Sequence, residues 1–290
     1  MEKVQQIFIP GDKWVYYKIY TGFKSADWIL TKEIYPFTKR LIKNEIITQF
    51  HFVRYSDPDF HIRLRFLLSD ETNFGNTVHE INHILSKLVN KQFIWKIEIS
   101  TYQREIERYN KFLIKETEML FYIDSIYIIL IINTLIKNLN NDFRWMIAIL
   151  LIDKMLSDFK FNTEDKKELM SSMSQSFKQE FGFNEFNSKQ FNKKYRDNKN
   201  IIYGILNKKF NDDLFNRLTA FVNQRSIKMG PIINNILHII KNHKLSIHHY
   251  IGSYIHMTMN KLFEYDNRIY ELIIYDFLRR YYTSLSILKQ

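Results

Sequence analysis

Strand-like sequence in this 290-residue chain is confined to its first hundred or so residues, and from Glu105 onward it gives way to segments at helical spacing. A chain divided this way cannot wind alternating strands and helices through its whole length. It must build one small sheet early and cover it with helices. Trp14–Tyr20 is aromatic and β-branched and reads as the first strand. Ser25 is the expected cap of a helix running toward Lys43, with Pro36 as a kink or break. The segments 50–55 and 61–67 alternate on either side of the turn-rich Ser56–Asp59 and read as a hairpin. Residues 76–89 carry apolar side chains at helical spacing, and Phe93–Ile99 reads as a fourth strand.

The resulting order, strand–helix–strand–strand–helix–strand, predicts an α+β protein with a ferredoxin-like βαββαβ sheet. Helices are expected over 115–139, 142–158, 163–181, 187–196, 199–224, 232–243, 246–258 and 266–286, broken by Gly182, Gly230-Pro231 and polar clusters. The sequence divides into an α+β part at 1–112 and a helical part at 113–290, together one domain, with the site expected where they meet.

Period two in the hairpin's second strand sends His61, Arg63 and Arg65 to one face and Ile62, Leu64 and Phe66 to the other. Arg54 stands on the neighbouring strand. A row of guanidinium and imidazole groups where Thr, Lys or Glu is usual is either an anion site or a solvated basic face.

Composition narrows the function classes. The chain has no cysteine, which excludes thiol catalysis, disulfides and thiolate metal sites. With 46% hydrophobic residues it can bury a sizeable core, so a disordered chain is excluded. The first residues lack a signal-peptide pattern, and the apolar run Leu120–Ile136, interrupted by Asp124, is expected to be a buried helix too short for a bilayer. A cytoplasmic protein is expected, peripheral to a membrane at most. The net charge of +11 suits an acidic partner. It points less to nucleic acid, because Lys is scattered among Asn and Ile and no nucleic-acid motif appears. His248-His249 and His238/His243 lack carboxylates at ligand spacing, and none of the seven glycines forms a phosphate loop, so no metal or cofactor is expected.

Four segments, in order, carry a resemblance to a known family. They are Arg54-Tyr-Ser-Asp-Pro with His61-Ile-Arg-Leu-Arg-Phe66, then Thr101-Tyr-Gln-Arg-Glu-Ile-Glu-Arg-Tyr109. Glu118-Met-Leu-Phe-Tyr-Ile-Asp-Ser125 and Ser253-Tyr-Ile-His-Met-Thr-Met-Asn260 follow. Together they resemble the C-terminal domain of lantibiotic dehydratases, also called the thiopeptide-type bacteriocin biosynthesis domain, across almost the whole chain. The resemblance implies an enzyme that eliminates glutamate from glutamylated Ser and Thr of a precursor peptide, leaving dehydroalanine and dehydrobutyrine. It implies as partners that peptide and a separately encoded tRNA-dependent glutamylation protein. A cyclase and a second copy of the chain are further candidates.

The same resemblance implies roles. His256 becomes the base or acid, an imidazole being suited to proton transfer near neutral pH, and the alternative is a histidine hydrogen-bonded in the core. Arg63, Arg65 and Arg108 become a cationic wall that clamps carboxylates, the alternative for the first two being ion pairs with Asp57, Asp59 or Glu98. Arg54 either lines the same pocket or pairs with Asp57. His61, Tyr102, Glu105, Asn260 and Lys261 are further substrate-binding candidates, and Glu105 could itself serve as base. Asp124 and Ser125 are expected to make buried hydrogen bonds instead.

Two departures stand out. Asn110-Lys111 follows Arg108-Tyr109 where the family usually has Gly-Gly, and Lys261 stands where it usually has Arg. They leave open a non-catalytic, leader-peptide-binding subunit. The related pyridine synthases, which join two dehydroalanines by a formal cycloaddition, are the other alternative.

Overall fold

A computed structural model describes residues 4–287. It is an α+β structure containing two antiparallel sheets. The larger sheet has β2 (Trp14–Thr21), β3 (Ile47–Tyr55), β4 (His61–Leu68) and β5 (Ile94–Ile99), in the spatial order β3-β4-β2-β5 with every neighbouring pair antiparallel. The smaller one pairs β1 (Ile7–Phe8) with β6 (Tyr102–Gln103). Sequence periodicity missed both of these, since two residues are too few for alternation to register.

Between β2 and β3 the chain forms α1 (Phe23–Trp28), a π-helical stretch (Ile29–Ile34) and α2 (Tyr35–Lys43). Gly22, not Ser25, is the N-cap residue, and the Ser25 N–H bonds to the Gly22 carbonyl at 3.0 Å. Pro36 directly follows the π-helical stretch, near the start of α2, and the helix runs on through it without a break. α3 (Phe74–Asn90) joins β4 to β5, and the short α4 (Ile106–Tyr109) follows β6.

The helical remainder comprises α5 (Ile114–Lys137), α6 (Phe143–Asp158), α7 (Thr163–Glu180), α8 (Glu185–Leu206), α9 (Asp213–Asn242), α10 (His248–Leu262) and α11 (Asn267–Ile287). Capping boxes at Asn162/Asp165 and Asn184/Asn187 fix the starts of α7 and α8. Two expected breaks are absent. The exposed Asp197–Asn200 cluster lies inside α8, where the Asn198 side chain donates to the Lys194 carbonyl at 2.9 Å. Gly230-Pro231 lies inside α9, because proline removes only the bond to the Ile227 carbonyl, and Ile227 is solvent-exposed.

The chain forms two compact units, Met1–Thr134 with Asn234–His243, and Leu135–Ile233 with Lys244–Gln290. In the first, Ile62, Leu64, Phe66 and Leu68 turn one sheet face toward helices and are buried with Phe37, Leu41, Ile81 and Leu85. α5 lies along the open edge of this sheet, at β3. The Ser125 hydroxyl accepts the Phe52 N–H at 3.3 Å and donates to the Phe121 carbonyl at 2.7 Å, and Phe50 packs edge-on to Tyr122 at 5.7 Å. Ser125 thus makes the buried hydrogen bonds expected of it.

By length and composition α5 is apolar enough to cross a membrane, and half of its most apolar window is buried in the fold. The expectation that this run is too short does not hold, since the helix extends past both ends of the run, although its burial was anticipated. In the second unit α6, α7, α8, α10 and α11 pack on one another, with Phe177 edge-on to Tyr275 and the Tyr282 hydroxyl donating to Asp153 at 2.8 Å.

Candidate active site

In the first unit the register of the large sheet assembles a cationic row. Tyr16 lies opposite Arg65, Lys18 opposite Arg63 and Tyr20 opposite His61, while His51, Val53 and Tyr55 of β3 flank the same three residues of β4. Alternation therefore places all three β4 groups on one face, as the sequence pattern required. Over that face the smaller sheet and α4 close a cleft of about 540 Å³. Its lining carries five basic side chains (Lys18, Arg63, Arg65, Arg104 and Arg108) against two acidic ones (Glu105 and Glu107).

Arg65 is the innermost of these cations. It is 9% exposed and lies over the rings of Tyr16 (4.4 Å) and Tyr102 (4.8 Å), and its buried Nε has no hydrogen-bond partner among the described residues. Among the described residues no carboxylate pairs with Arg65 or Arg63. The alternative of ion pairs to Asp57, Asp59 or Glu98 is therefore not realised, and Glu98 instead bonds Lys96 at 2.6 Å and Lys18 at 3.5 Å. A guanidinium removed from water without a counter-charge is costly, and an incoming anion relieves that cost.

Arg63 is held from both sides. Its guanidinium lies 3.4 Å from the centre of the Tyr55 ring, and its Nε–H donates to His61 Nε2 at 3.2 Å. His61 is fully buried and bonds the Asp59 carbonyl through Nδ1 at 2.8 Å, and burial pushes its pKa down. It does not line the cleft. A neutral ring with its proton on Nδ1 satisfies both contacts, so His61 acts as a support for Arg63.

Arg104, which the sequence reading did not single out, is anchored by Glu118 of α5. Two bonds of 2.7 and 2.6 Å join them, and the Tyr102 hydroxyl donates to the same carboxylate at 2.8 Å. Burial first, and then the Glu118 charge, raise the Tyr102 pKa well above its ordinary value. Only the three-residue spacing between Glu118 and Phe121 in the third motif hinted that this carboxylate faces inward. At the rim, Arg108 and Glu105 pair at 3.3 Å, both substantially exposed.

Arg54 is a correction. It pairs in register with Ile62, so it projects from the opposite, helix-covered face, where it is buried in an ion pair with Asp27 of α1. It neither lines the cleft nor bonds Asp57.

The remaining candidates lie on α10, in the second unit. His256 is partly exposed and bonds Glu271 of α11 through Nδ1, at 2.9 Å to Oε1 and 3.1 Å to Oε2. Glu271 is fully buried and also accepts from the Tyr275 hydroxyl at 3.0 Å and from the Asn267 amide at 3.2 Å. Among the described residues His256 Nε2 takes no partner. Sequence reading missed Glu271, because a glutamate fifteen residues away on another helix leaves no local signal. Lys261 is fully buried in the last turn of α10, and Asn260 beside it is partly exposed.

Two solved structures of low sequence identity share this fold. The tRNA-dependent lantibiotic dehydratase MibB from Microbispora sp. 107891 superposes with a TM-score of 0.72 at 16% identity, covering 99% of this chain and 29% of that one. The pyridine synthase TbtD from thiomuracin biosynthesis gives 0.66 at 10% identity over 94% of this chain and 100% of that one. The family described as lantibiotic biosynthesis dehydratase C-term matches residues 14–282, and the chain belongs to it. Among curated relatives, nisin biosynthesis protein NisB of Lactococcus lactis subsp. lactis is 30% identical over 56% of this chain. Epidermin biosynthesis protein EpiB of Staphylococcus epidermidis is 25% identical over 79%. The chain spans only 16% and 22% of those two relatives' lengths.

Proposed function

We propose that this chain eliminates glutamate from glutamylated Ser and Thr side chains of a ribosomally made precursor peptide in lanthipeptide or thiopeptide biosynthesis. The single observation that carries this reading is Arg65. A buried guanidinium with an unpartnered Nε, facing a cleft of excess positive charge, suits the carboxylates of an acidic ester. In the reaction His256 takes the α-proton of the modified residue, and that C–H electron pair forms the Cα=Cβ bond. The Cβ–O bond then breaks, and glutamate leaves as a carboxylate with the bonding pair. Positive groups are needed at the developing enolate oxygen and at the departing carboxylates, and Arg65, Arg63 and Lys18 fill those roles.

The fold reading is proposed at the same level. Strand order β3-β4-β2-β5, all antiparallel, with helices after β2 and after β4, supports the ferredoxin-like arrangement. A cytoplasmic location, a separately made glutamylation protein and the division at residue 112 belong to the same proposal.

Incubating the purified protein with glutamylated precursor peptide tests it. The expected products are free glutamate and a peptide lighter by one water per site than the unmodified peptide. Arg65→Lys, which keeps the charge but loses the fork, is expected to lower kcat/KM about 100-fold. Failure of the wild type to release glutamate, or an Arg65→Lys protein as active as wild type, refutes the proposal.

The likeness to the pyridine synthase over that protein's entire length favours one second reading, the joining of two dehydroalanines. A peptide already bearing dehydroalanines and azoles discriminates, since macrocycle formation without glutamate release supports the second reading. Leader-peptide binding that survives loss of both Arg65 and His256, with no turnover in any form, would instead indicate a non-catalytic subunit.

A further inference from the structure

We infer that Glu271 is the positioning residue for His256, holding the imidazole in the tautomer that leaves Nε2 as the proton-accepting atom. The inference rests on the proposed elimination for its catalytic meaning and on geometry alone for its physical content. The Glu271 carboxylate is sealed from solvent, yet it approaches His256 Nδ1 with both oxygens, at 2.9 and 3.1 Å. A carboxylate only accepts, so the ring must donate from Nδ1, and a neutral ring then carries its lone pair on Nε2. That nitrogen takes no partner among the described residues, and the side chain is 26% exposed.

Two neutral donors fix the carboxylate in turn. The Tyr275 hydroxyl bonds Oε2 at 3.0 Å and the Asn267 amide bonds Oε1 at 3.2 Å, from positions four residues to either side of Glu271 on α11. Tyr275 is fully buried, and burial, reinforced by the Glu271 charge, raises its pKa well above the ordinary value, so it remains a donor throughout the working range. The cation closest in sequence, Arg268, is committed to Glu180, leaving the imidazole as the cationic partner that Glu271 gains on proton transfer. A buried acceptor behind an imidazole thus does two things. It selects the tautomer, and it stabilises the imidazolium formed when the α-proton arrives.

Selective ¹⁵N labelling of the histidines, with the His256 signal assigned by its loss in His256→Gln, reads the tautomer directly at alkaline pH. The expected result is a protonated Nδ1 and an unprotonated Nε2 in the wild type. In Glu271→Gln, whose amide can turn its NH₂ toward the ring, that preference is expected to weaken or reverse. The glutamate-release assay is expected to show kcat lowered by about 10-fold or more with KM nearly unchanged. Glu271→Asp, which keeps the charge, is expected to recover part of the rate. A wild-type ring protonated on Nε2 overturns the inference, as does a Glu271→Gln protein with wild-type tautomer and kcat. If no glutamate is released by any form, the elimination reading fails, while the nitrogen shifts still decide the hydrogen bond.

Discussion

Asn110 shows how a single departure from the family pattern is absorbed. It takes φ 68°, ψ 141°, backbone that a glycine adopts freely and other residues rarely do. The family's usual Gly-Gly pair falls at this point, and the turn keeps a positive φ without it. Its Oδ1 accepts the Phe112 N–H at 3.0 Å, which offsets part of the cost. Asn110→Gly is therefore expected to raise unfolding stability by about 1 kcal/mol, measured by urea titration. A loss of stability would mean that the side-chain bond outweighs the backbone strain.

His61 supplies the pH dependence at the same scale. Its folded pKa lies below the ordinary value, so the unfolded chain takes up a proton first as pH falls. Stability is at its full value above about pH 6.5 and declines as pH drops from there through the lowered value. Melting curves between pH 7.5 and 5 are expected to show this decline, and His61→Gln, although less stable overall, is expected to show a flatter one. The carboxylates with lowered pKa, such as Glu98 and Asp276, act in a more acid range and leave this window clear.

Among the elements, α5 supports the cleft without lining it. Glu118, buried in its second turn, holds Arg104 in two bonds and Tyr102 in a third, and Tyr102 is one of the two rings beneath Arg65. Glu118→Ala leaves a buried guanidinium without its partner and is expected to cost about 3–5 kcal/mol, read as a lowered Tm. A change under about 1 kcal/mol would show that Arg104 finds another partner or water.

What could be read from sequence followed element length. β2, β4, α3 and α5 run long enough for their period to show, and the alternation in β4 put Arg63 and Arg65 on the correct face. β1 and β6, two residues each, were invisible, although β6 supplies Tyr102. The parity of Arg54 depended on the hairpin register, which the sequence leaves undetermined when the turn length is unknown. Glu271 and Arg104 gain their meaning from contacts across helices, which no local spacing encodes.

For the whole molecule, the net charge of +11 and the basic lining of the cleft predict attraction for an acidic adduct that weakens as salt rises. Lys18, Arg63, Arg65, Arg104 and Arg108 do not contribute equally. Arg104 is neutralised by Glu118, Arg108 leans on Glu105 at the exposed rim, and Lys18 shares Glu98 with Lys96. Arg63 and Arg65 are left without a carboxylate among the described residues. Arg63 Nε–H donates to His61, whereas the more buried Arg65 keeps an unpartnered Nε and has the most to gain from a ligand.

That difference can be measured with a precursor peptide carrying a non-cleavable, amide-linked glutamate, titrated against the wild type and Arg65→Met and compared with the unmodified peptide. The account predicts that the glutamyl group tightens binding by about 10-fold or more in the wild type and that the gain disappears in Arg65→Met. Equal affinity of the wild type for both peptides, or an undiminished gain in the variant, would contradict it.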